Sequence, residues 1–356
     1  MCRHGVYGSA SSCHRAYVQD FRPRPALSLT DCPEDDNVCA GDRTLTDQNA
    51  LVEINECSQW NGSITVSASS RGESDSITFD NLESLTGDLI FTDGSQYDQR
   101  ENLLRISASK LSAVEGQLLF STMTGLEMPS FPSLRSAQVI AFSNIAFGNY
   151  TSFGAATFGQ LSRVGSIIFN HTNVASIGEG WTRQLDSTTP DSATLMVLDN
   201  PDLTEILVQG YHTSDVDVNI QRNSPSLEVG LPDLMYCSRL QIGNVHHFTA
   251  DQLQRIGPAQ SLTSPSGRTQ RRQASDSEDA SSIANTNLSE LILPSLSTID
   301  GALSVLDNPS LATLGLSSLR SVGNLRIAGN SMLADIALPR LSNVEGEVNL
   351  SGPIRS

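Results

Sequence analysis

A short segment with leucines in fixed places recurs in the C-terminal part of the chain. Its copies occupy residues 296–303, 319–325 and 341–348, and their first leucines are 23 and then 22 positions apart. Self-similarity at a period of about 20–50 residues is the signature of a repeat architecture. The chain is therefore expected to fold as a stack of similar units and not around one globular core.

Looser copies of the same segment extend the array towards the N-terminus. They occupy residues 82–89, 111–118 and 161–167, and the Asn-Pro-x-Leu sequence that follows a copy at 308–311 has counterparts at 200–203 and 223–227. A repeat so widely distributed predicts that one architecture accounts for most of the chain.

Each repeat contains two short runs of alternating aliphatic residues. Leu303 and Val305 form the first run, and Leu314 and Leu316 form the second. Alternation places side chains on one face of a strand, and an asparagine such as Asn308 can bond backbone groups at the corner between strands. The fold class predicted is all-β-rich: a right-handed parallel β-helix or leucine-rich solenoid of roughly 11 coils spaced about 4.8 Å apart.

The segment before the repeats predicts a cap on the solenoid. Apolar residues between Leu45 and Ile54 follow helical spacing, so we expect a short N-terminal helix stapled by Cys39 and Cys57. The disulfide candidates are Cys39, Cys57, Cys32 and Cys237. The alternative is a set of free thiols in a cytosolic protein.

Composition along the chain divides it into five segments. These are a disordered or wrongly assembled N-terminus at 1–31, a disulfide-stapled cap at 32–66, the solenoid at 67–257, a disordered polar insert at 258–286, and a solenoid continuation at 287–356 that stops partway through a coil. Within the insert, Arg271-Arg272 is either a dibasic processing site or part of a solvated or unspliced segment.

The acidic balance of the chain restricts its partners. Its net charge is −17 and its pI is about 4.6, and phosphate neutralisation requires clustered Lys and Arg. A nucleic-acid partner is therefore not expected. No apolar run is long enough to span a membrane, and residues 1–30 lack the apolar stretch of a secretory signal.

Catalytic chemistry is not expected from the carboxylates. Inverting glycoside hydrolysis requires two carboxylates about 6.5–9.5 Å apart on one face. Asp80 and Asp88, or Asp199 and Asp202, are close in sequence, but these residues sit at turn positions beside Asn or Pro. Turn chemistry accounts for them, so the chain is expected not to be an enzyme.

Neither a metal nor a cofactor is expected. His246 and His247 lie near Cys237, but adjacent histidines on a strand point to opposite faces, and no third ligand follows at metal-binding spacing. Phosphate-binding and nucleophile motifs are absent from the sequence.

Five Asn-x-Ser/Thr sequons make N-glycosylation a candidate modification. They begin at Asn61, Asn149, Asn170, Asn287 and Asn349. In a Ser/Thr-rich chain such sequons also arise by chance, so they favour secretion only as a set.

The residues from Cys39 to Gly62, running on through Ile64 and Val66, resemble the opening of a receptor L-domain. The repeated Leu-x-x-Val/Ile-x-Gly-x-Leu frame with its Asn-Pro-x-Leu corners is similar to fungal GPI-anchored cell-wall proteins related to sporulation-specific protein 2. The resemblance covers about residues 32–356.

This resemblance implies an extracellular, N-glycosylated protein that is GPI-anchored at the plasma membrane and cell wall and supports wall organisation and integrity. Its partners would be wall glycans or surface proteins, with the membrane reached only through a lipid anchor that this chain does not encode. Because a signal peptide and a GPI signal are lacking, we expect an incomplete or misassembled gene model. The alternatives are a ligand-binding receptor ectodomain and a polysaccharide-active β-helix enzyme.

Overall fold

Parallel strands dominate the computed structural model, which describes residues 39–67, 76–92, 104–148, 152–179, 193–210, 216–257 and 280–352. The residues from Cys39 onward form one compact unit. The elements of its first half are β1 (Arg43–Leu45), α1 (Gln48–Asn55), β2 (Gln59–Trp60), β3 (Ile64–Ser67), β4 (Ser76–Thr78), β5 (Ser84–Leu85), β6 (Leu89–Thr92), β7 (Arg105–Ser107), β8 (Ala113–Leu126), β9 (Ser136–Phe147), β10 (Ser152–Gly154), α2 (Ala155–Phe158), β11 (Arg163–Thr172) and β12 (Ser176–Glu179). The elements of its second half are β13 (Ala193–Leu198), β14 (Glu205–Leu207), β15 (Val216–Gln221), β16 (Glu228–Gly230), β17 (Tyr236–Gly243), β18 (His247–Thr249), β19 (Arg255–Ile256), β20 (Ser281–Ala284), β21 (Glu290–Ile292), β22 (Thr298–Leu306), β23 (Thr313–Gly315), β24 (Ser321–Ala328), β25 (Asp335–Ala337), β26 (Asn343–Val344) and β27 (Val348–Ser351).

The strands stack as a β-solenoid of about 11 turns, which confirms the predicted fold class. Within the described ranges, 17 strands form one main sheet, and three smaller sheets lie elsewhere around the coil: β10-β12-β14-β16-β18, β21-β23-β25 and β4-β7. Successive strands of the main sheet pair in parallel, for example β13 with β15. Each coil therefore hydrogen-bonds to the coil before it and the coil after it.

Two columns of inward side chains run along the main sheet and form much of the core. In register order, one column begins Ile64, Leu89, Leu118, Ile140, Ile167, Leu195, Val218 and Leu240. It resumes after Ser281 with Leu303 and Leu325. Those aliphatic residues are at most 2% exposed, which confirms that the recurrent leucines line a shared interior. Full enclosure of one such side chain stabilises the fold by about 1.5–3 kcal/mol.

An aromatic stack occupies the second inward column in the N-terminal half. Phe91, Phe120, Phe142 and Phe169 stand in register on four consecutive coils, with ring centroids 4.9, 4.6 and 5.1 Å apart and nearly parallel planes. The alternating aliphatic runs of the sequence did not predict this stack. Because strand pairing brings residues together that are 22 to 29 positions apart, the phenylalanines show no local pattern.

One residue per coil turns the chain within or directly after each main strand from β8 to β24. This residue adopts a left-handed conformation with φ between 52° and 70° in nine consecutive coils. Asn, Asp and Gly tolerate this conformation best, and they occupy six of the nine positions: Asn144, Asp199, Asn244, Asn285, Asp307 and Gly329.

Directly after these corner residues, buried asparagines form hydrogen-bonded ladders between coils. Asn308 Oδ1 accepts from the backbone N–H of Thr286 at 2.9 Å and from its hydroxyl at 2.7 Å, and Asn308 Nδ2 donates to the Ile283 carbonyl. Asn330 continues the same ladder by accepting from Asn308. A second ladder with the same bonding contains Thr172, Asn200 and Asn223. The predicted corner role of these asparagines is confirmed.

The N-terminal cap matches the predicted helix and disulfide. Asp47 caps α1 by accepting from the Ala50 N–H at 3.0 Å, and the helix turns Leu51 and Ile54 towards the core. Cys39 and Cys57 are disulfide-bonded, with Cα atoms 5.8 Å apart. The disulfide thereby joins the start of the first coil to the C-terminal end of the helix.

Two predicted boundaries differ from the structure. The sheet begins before residue 67, because β1 pairs with β3 inside the segment predicted as cap. The polar insert was predicted to run to residue 286, but β20 starts at Ser281 and buries Ile283 between Ile242 and Val305. The apolar signal in 281–284 is a single isoleucine, too weak to reveal a strand. Residues 258–279 and 1–38 lie outside the described ranges.

Candidate interaction surface

The main sheet has one face in the core and one directed outwards. Along β13, Ala193, Leu195 and Val197 are buried, whereas Met196 between them is only partly covered. Strands of this kind expose every second side chain. We call the side chains that point away from the core the outer face.

The central column of the outer face changes character halfway along the solenoid. From β6 to β13 it is apolar and consists of Ile90, Leu119, Ala141, Ile168 and Met196. From β15 to β24 it is polar and consists of Asn219, Gln241, Ser282, Ser304 and Arg326. We call these five residues the polar strip.

Small residues line one side of the polar strip. Gly243, Ala284 and Ala328 occupy the next outward column, two positions further along their strands, with Leu306 between Ala284 and Ala328. Gly243 is buried, and the Gln221 side chain lies 3.7 Å from where a Cβ on Gly243 would be. We call Gly243, Ala284 and Ala328, which border the polar strip, the small-residue row.

An ion pair lies on the other side of the strip. Arg239 Nε donates to both carboxylate oxygens of Asp217 at 3.2 Å, and the two side chains are 37% and 23% exposed. Because the guanidinium and the carboxylate neutralise each other, the first two coils of this border carry no net charge.

A charged stack occupies the left-handed corner beside this region. Arg222 donates to Asp199 through Nε at 2.8 Å and through Nη2 at 2.7 Å, and His171 Nδ1 lies 4.0 Å from the same carboxylate. The Arg222 hydrogen bonds hold the pKa of Asp199 below its usual value, although partial burial opposes them. The Asp199 carboxylate therefore links three neighbouring coils through its contacts with Arg222 and His171.

The protein environment of Asp300 disfavours the charged form of its carboxyl group. Burial raises its pKa above the usual value and repulsion from Glu345 adds to this, whereas the Arg255 guanidinium, 3.9 Å away, acts in the opposite direction. Arg255 also stands over the Tyr236 ring at 5.3 Å from its centroid.

The carboxylates considered for catalysis have structural contacts. Asp88 Oδ1 accepts from the backbone N–H of Gln117 on the next coil at 2.8 Å, and Asp199 binds Arg222. Asp80 and Asp202 are exposed at turns. Among the residues that the structure describes, no group of three His, Cys, Asp or Glu side chains is arranged to hold a metal, and His246 and His247 are both exposed.

Cys237 was predicted as a disulfide candidate, and the structure contradicts this prediction. It points into the core from β17 as a thiol and donates to the Arg239 carbonyl at 2.8 Å. Cys32 lies outside the described ranges. Trp60 is also buried, and its indole N–H donates to the Gly41 carbonyl at 2.9 Å within the cap.

The sequons fall at different places around the coil. Asn61, Asn287 and Asn349 are exposed, and Asn170 is half-buried on the outer face. The hydroxyl of Thr172, the third residue of the Asn170 sequon, is committed to the ladder with Asn200. Asn149 lies outside the described ranges.

Sequence reasoning did not single out the polar strip. Its residues stand between inward leucines and valines, as Ser304 stands between Leu303 and Val305, so alternation alone could have assigned each one to the outer face. What no local pattern reveals is that Gln241 and Ser282 are neighbours, since 41 residues separate the hydrogen-bonded pair Leu240 and Ser281 beside them.

Comparison with known proteins yields distant fungal relatives. Sporulation-specific protein 22 of Saccharomyces cerevisiae is 22% identical over 303 residues, covering 85% of this chain and 57% of the relative. A cell surface GPI-anchored protein of Arthroderma benhamiae is 24% identical over 314 residues, covering 88% and 64%. Cell wall protein ecm33 of Schizosaccharomyces pombe is 23% identical over 287 residues, covering 78% and 57%.

The chain is similar to fungal Ecm33/Sps2-like cell-wall and surface proteins, at 21–24% identity over most of its length. It spans about three fifths of the length of the curated relatives that it first matches. No family model matches it, and no solved structure does. Among its described residues, no helix has the length and apolar character needed to traverse a bilayer.

Proposed function

We propose that this chain is the solenoid part of a non-enzymatic, extracellular cell-wall protein that supports wall organisation and integrity. The observation that carries the proposal is a disulfide-capped β-solenoid in a homologue of proteins named for the cell wall and the cell surface. Disulfides persist in oxidising compartments, so the Cys39–Cys57 bond supports secretion.

The proposed role is to present an extended surface. In a solenoid each coil contacts only its neighbours, so added coils lengthen the outer face without changing the core. Charged side chains such as Arg222 and Asp199 join adjacent coils, which favours a structural role for them over a catalytic one. N-glycosylation is also expected of an extracellular protein. The candidate sites are the exposed Asn61, Asn287 and Asn349, together with Asn170.

Localisation tests this proposal directly. A tagged full-length protein is expected in the wall and plasma-membrane fractions and to be released in part by phosphatidylinositol-specific phospholipase. Deletion of its gene is expected to increase sensitivity to wall-perturbing dyes, with restoration by the wild-type gene. Residence of the protein in the cytosol would overturn the proposal.

Absence of catalysis needs its own measurement. Purified protein incubated with wall glucan and chitin is expected to release no reducing ends above a heat-denatured control. Release that is abolished by Asp88→Asn or Asp199→Asn would replace the structural proposal with an enzymatic one.

A further inference from the structure

We propose that the polar strip and the small-residue row beside it bind an extended, neutral, β-linked polysaccharide ribbon. The inference rests on the cell-wall function proposed above and adds the ligand class and the surface that takes it. Four features of the described residues carry it: spacing, chemistry, the small side chains beside the strip and the placement of the sequons.

The spacing of the strip suits a periodic ligand. Asn219, Gln241, Ser282 and Ser304 stand in register on consecutive coils, so their polar groups repeat at the strand spacing of about 4.8 Å. The hydroxyls of a straight β-linked ribbon recur ring by ring at a slightly longer interval. A helical or curled glycan would leave this register after one or two rings.

The chemistry of the strip favours a neutral partner rich in hydroxyls. Amides and hydroxyls both donate and accept, and the four residues from Asn219 to Ser304 carry no charge. The adjacent Asp217 and Arg239 neutralise each other. A polyanion would in addition be repelled by a chain whose net charge is −17.

The small-residue row lets a ribbon lie close to the sheet. Ala284 and Ala328 present little side chain, and Leu306 offers an apolar surface between them. Sugar rings present C–H groups on their faces and hydroxyls at their edges, which matches apolar side chains bordered by polar ones.

The candidate glycosylation sites leave the strip clear. Asn170 lies on the outer face before it, and Asn349 follows Arg326 in the same column after it. None of the five strip residues lies in a sequon. Glycans attached to this protein would therefore flank the surface without covering it.

The experiment measures binding of defined oligosaccharides to the purified full-length chain by titration calorimetry. Chitohexaose and cellohexaose are straight β-linked ribbons, laminarihexaose is a curved β-linked chain, maltohexaose is a helical α-linked chain, and polygalacturonate is a polyanion. Binding of one or both ribbons in preference to the other three is the expected result.

Matched substitutions on one coil locate the site. Ser304→Lys on β22 is expected to weaken ribbon binding on the order of tenfold or more, because it replaces a hydrogen-bonding group and fills the strip. Thr313→Lys on β23 is equally half-buried but lies on another sheet, and should leave affinity unchanged. Gln241→Ala tests the same strip without adding bulk, and thermal unfolding checks that each variant folds.

Several outcomes would overturn the inference. These are no binding of either ribbon, stronger binding of laminarihexaose than of the ribbons, equal weakening by Thr313→Lys, or an effect of Ser304→Lys on self-association alone, which would make the strip an interface with a second copy. A protein that reaches the wall yet binds neither ribbon would sink this inference and leave the proposed function standing.

Discussion

At the scale of single residues, the fold depends on positions where a residue of one coil hydrogen-bonds to the backbone of the next coil or lies in close contact with it. Buried amides such as Asn308 bond backbone groups of two neighbouring coils. Glycines such as Gly87 sit where backbones nearly touch. Both kinds of residue are visible in the sequence, but only the stack explains what each one contacts.

Replacing Asn308 with alanine is expected to destabilise the protein by about 2–4 kcal/mol, because the Thr286 N–H and the Ile283 carbonyl lose their buried partner. Urea denaturation of unglycosylated protein measures the change. Asn349→Ala, at an exposed asparagine, is the control and should stay within about 0.5 kcal/mol of wild type. Equal effects at the two positions would contradict the ladder's role.

Alanine at Gly87 is expected to cost about 1–3 kcal/mol, since its Cβ would lie 2.5 Å from the Gly62 carbonyl group and force the coils apart. Gly315→Ala is the matched control, because the nearest atom to its Cβ is a side-chain carbon of Ile292 at 3.5 Å. Its free energy of unfolding should change by less than about 1 kcal/mol. Denaturation curves that rank the two variants in the reverse order would refute the close approach.

Asp300→Asn should gain stability relative to wild type as pH rises. Burial raises the pKa of Asp300, so this group favours folding below the pKa of the unfolded chain and loses that contribution as pH rises through the folded value. Unfolding midpoints of both proteins at pH 3 to 7, a range of about four units that begins below the ordinary Asp pKa, measure the difference.

Asp199→Asn provides the opposite sign as a control. The pKa of Asp199 is lowered by Arg222, so its carboxylate favours folding above the unfolded pKa and this contribution is lost as pH falls. The Asn variant should therefore lose stability relative to wild type as pH rises. Parallel pH trends for the two variants would contradict the assigned environments.

At the scale of elements, the cap and the strands were predicted from different sequence patterns. The helix α1 was predicted from apolar spacing alone, and its N-cap Asp47 was found only in the structure. The two strands per coil follow from alternation within four or five residues. The small strand β20 and the aromatic stack did not follow, because their partners lie on other coils at distances that vary along the chain.

Reduction of the disulfide is expected to destabilise the capped solenoid by about 3 kcal/mol, because Cys39 and Cys57 close a loop across a sequence separation of 18 residues. Unfolding measured with and without a phosphine reductant tests this. The double variant Cys39→Ser with Cys57→Ser should show no reductant effect, which also excludes a contribution from the Cys237 thiol. An unchanged wild-type curve in reductant would contradict the cap's importance.

At the scale of the whole molecule, stability should be the sum of contacts between neighbouring coils. Ile140 and Ile167 face each other in register, whereas Ile327 is several coils away. The structure thus predicts which substitutions interact and which do not.

Ile→Val changes at these three positions are each expected to cost about 0.5–1.5 kcal/mol. Ile140→Val and Ile327→Val should add to within about 0.5 kcal/mol, whereas Ile140→Val and Ile167→Val should depart from additivity by more than that, since they enlarge one shared space. Double-mutant cycles from urea denaturation provide the measurement. If the effects of Ile140→Val and Ile327→Val on the free energy of unfolding were not additive, substitutions would act beyond neighbouring coils, contrary to this prediction.

The sequence by itself determined the period, the inward leucines, the corner asparagines and the capping helix with its disulfide, because each of these depends on spacing within one coil. Tertiary structure decided which residues became neighbours. Parallel pairing joins residues separated by connections of variable length, so no local pattern indicates that Phe120 meets Phe142 or that Gln241 meets Ser282. The polar strip exists only in that register, and the candidate surface could be found only once the coils were stacked.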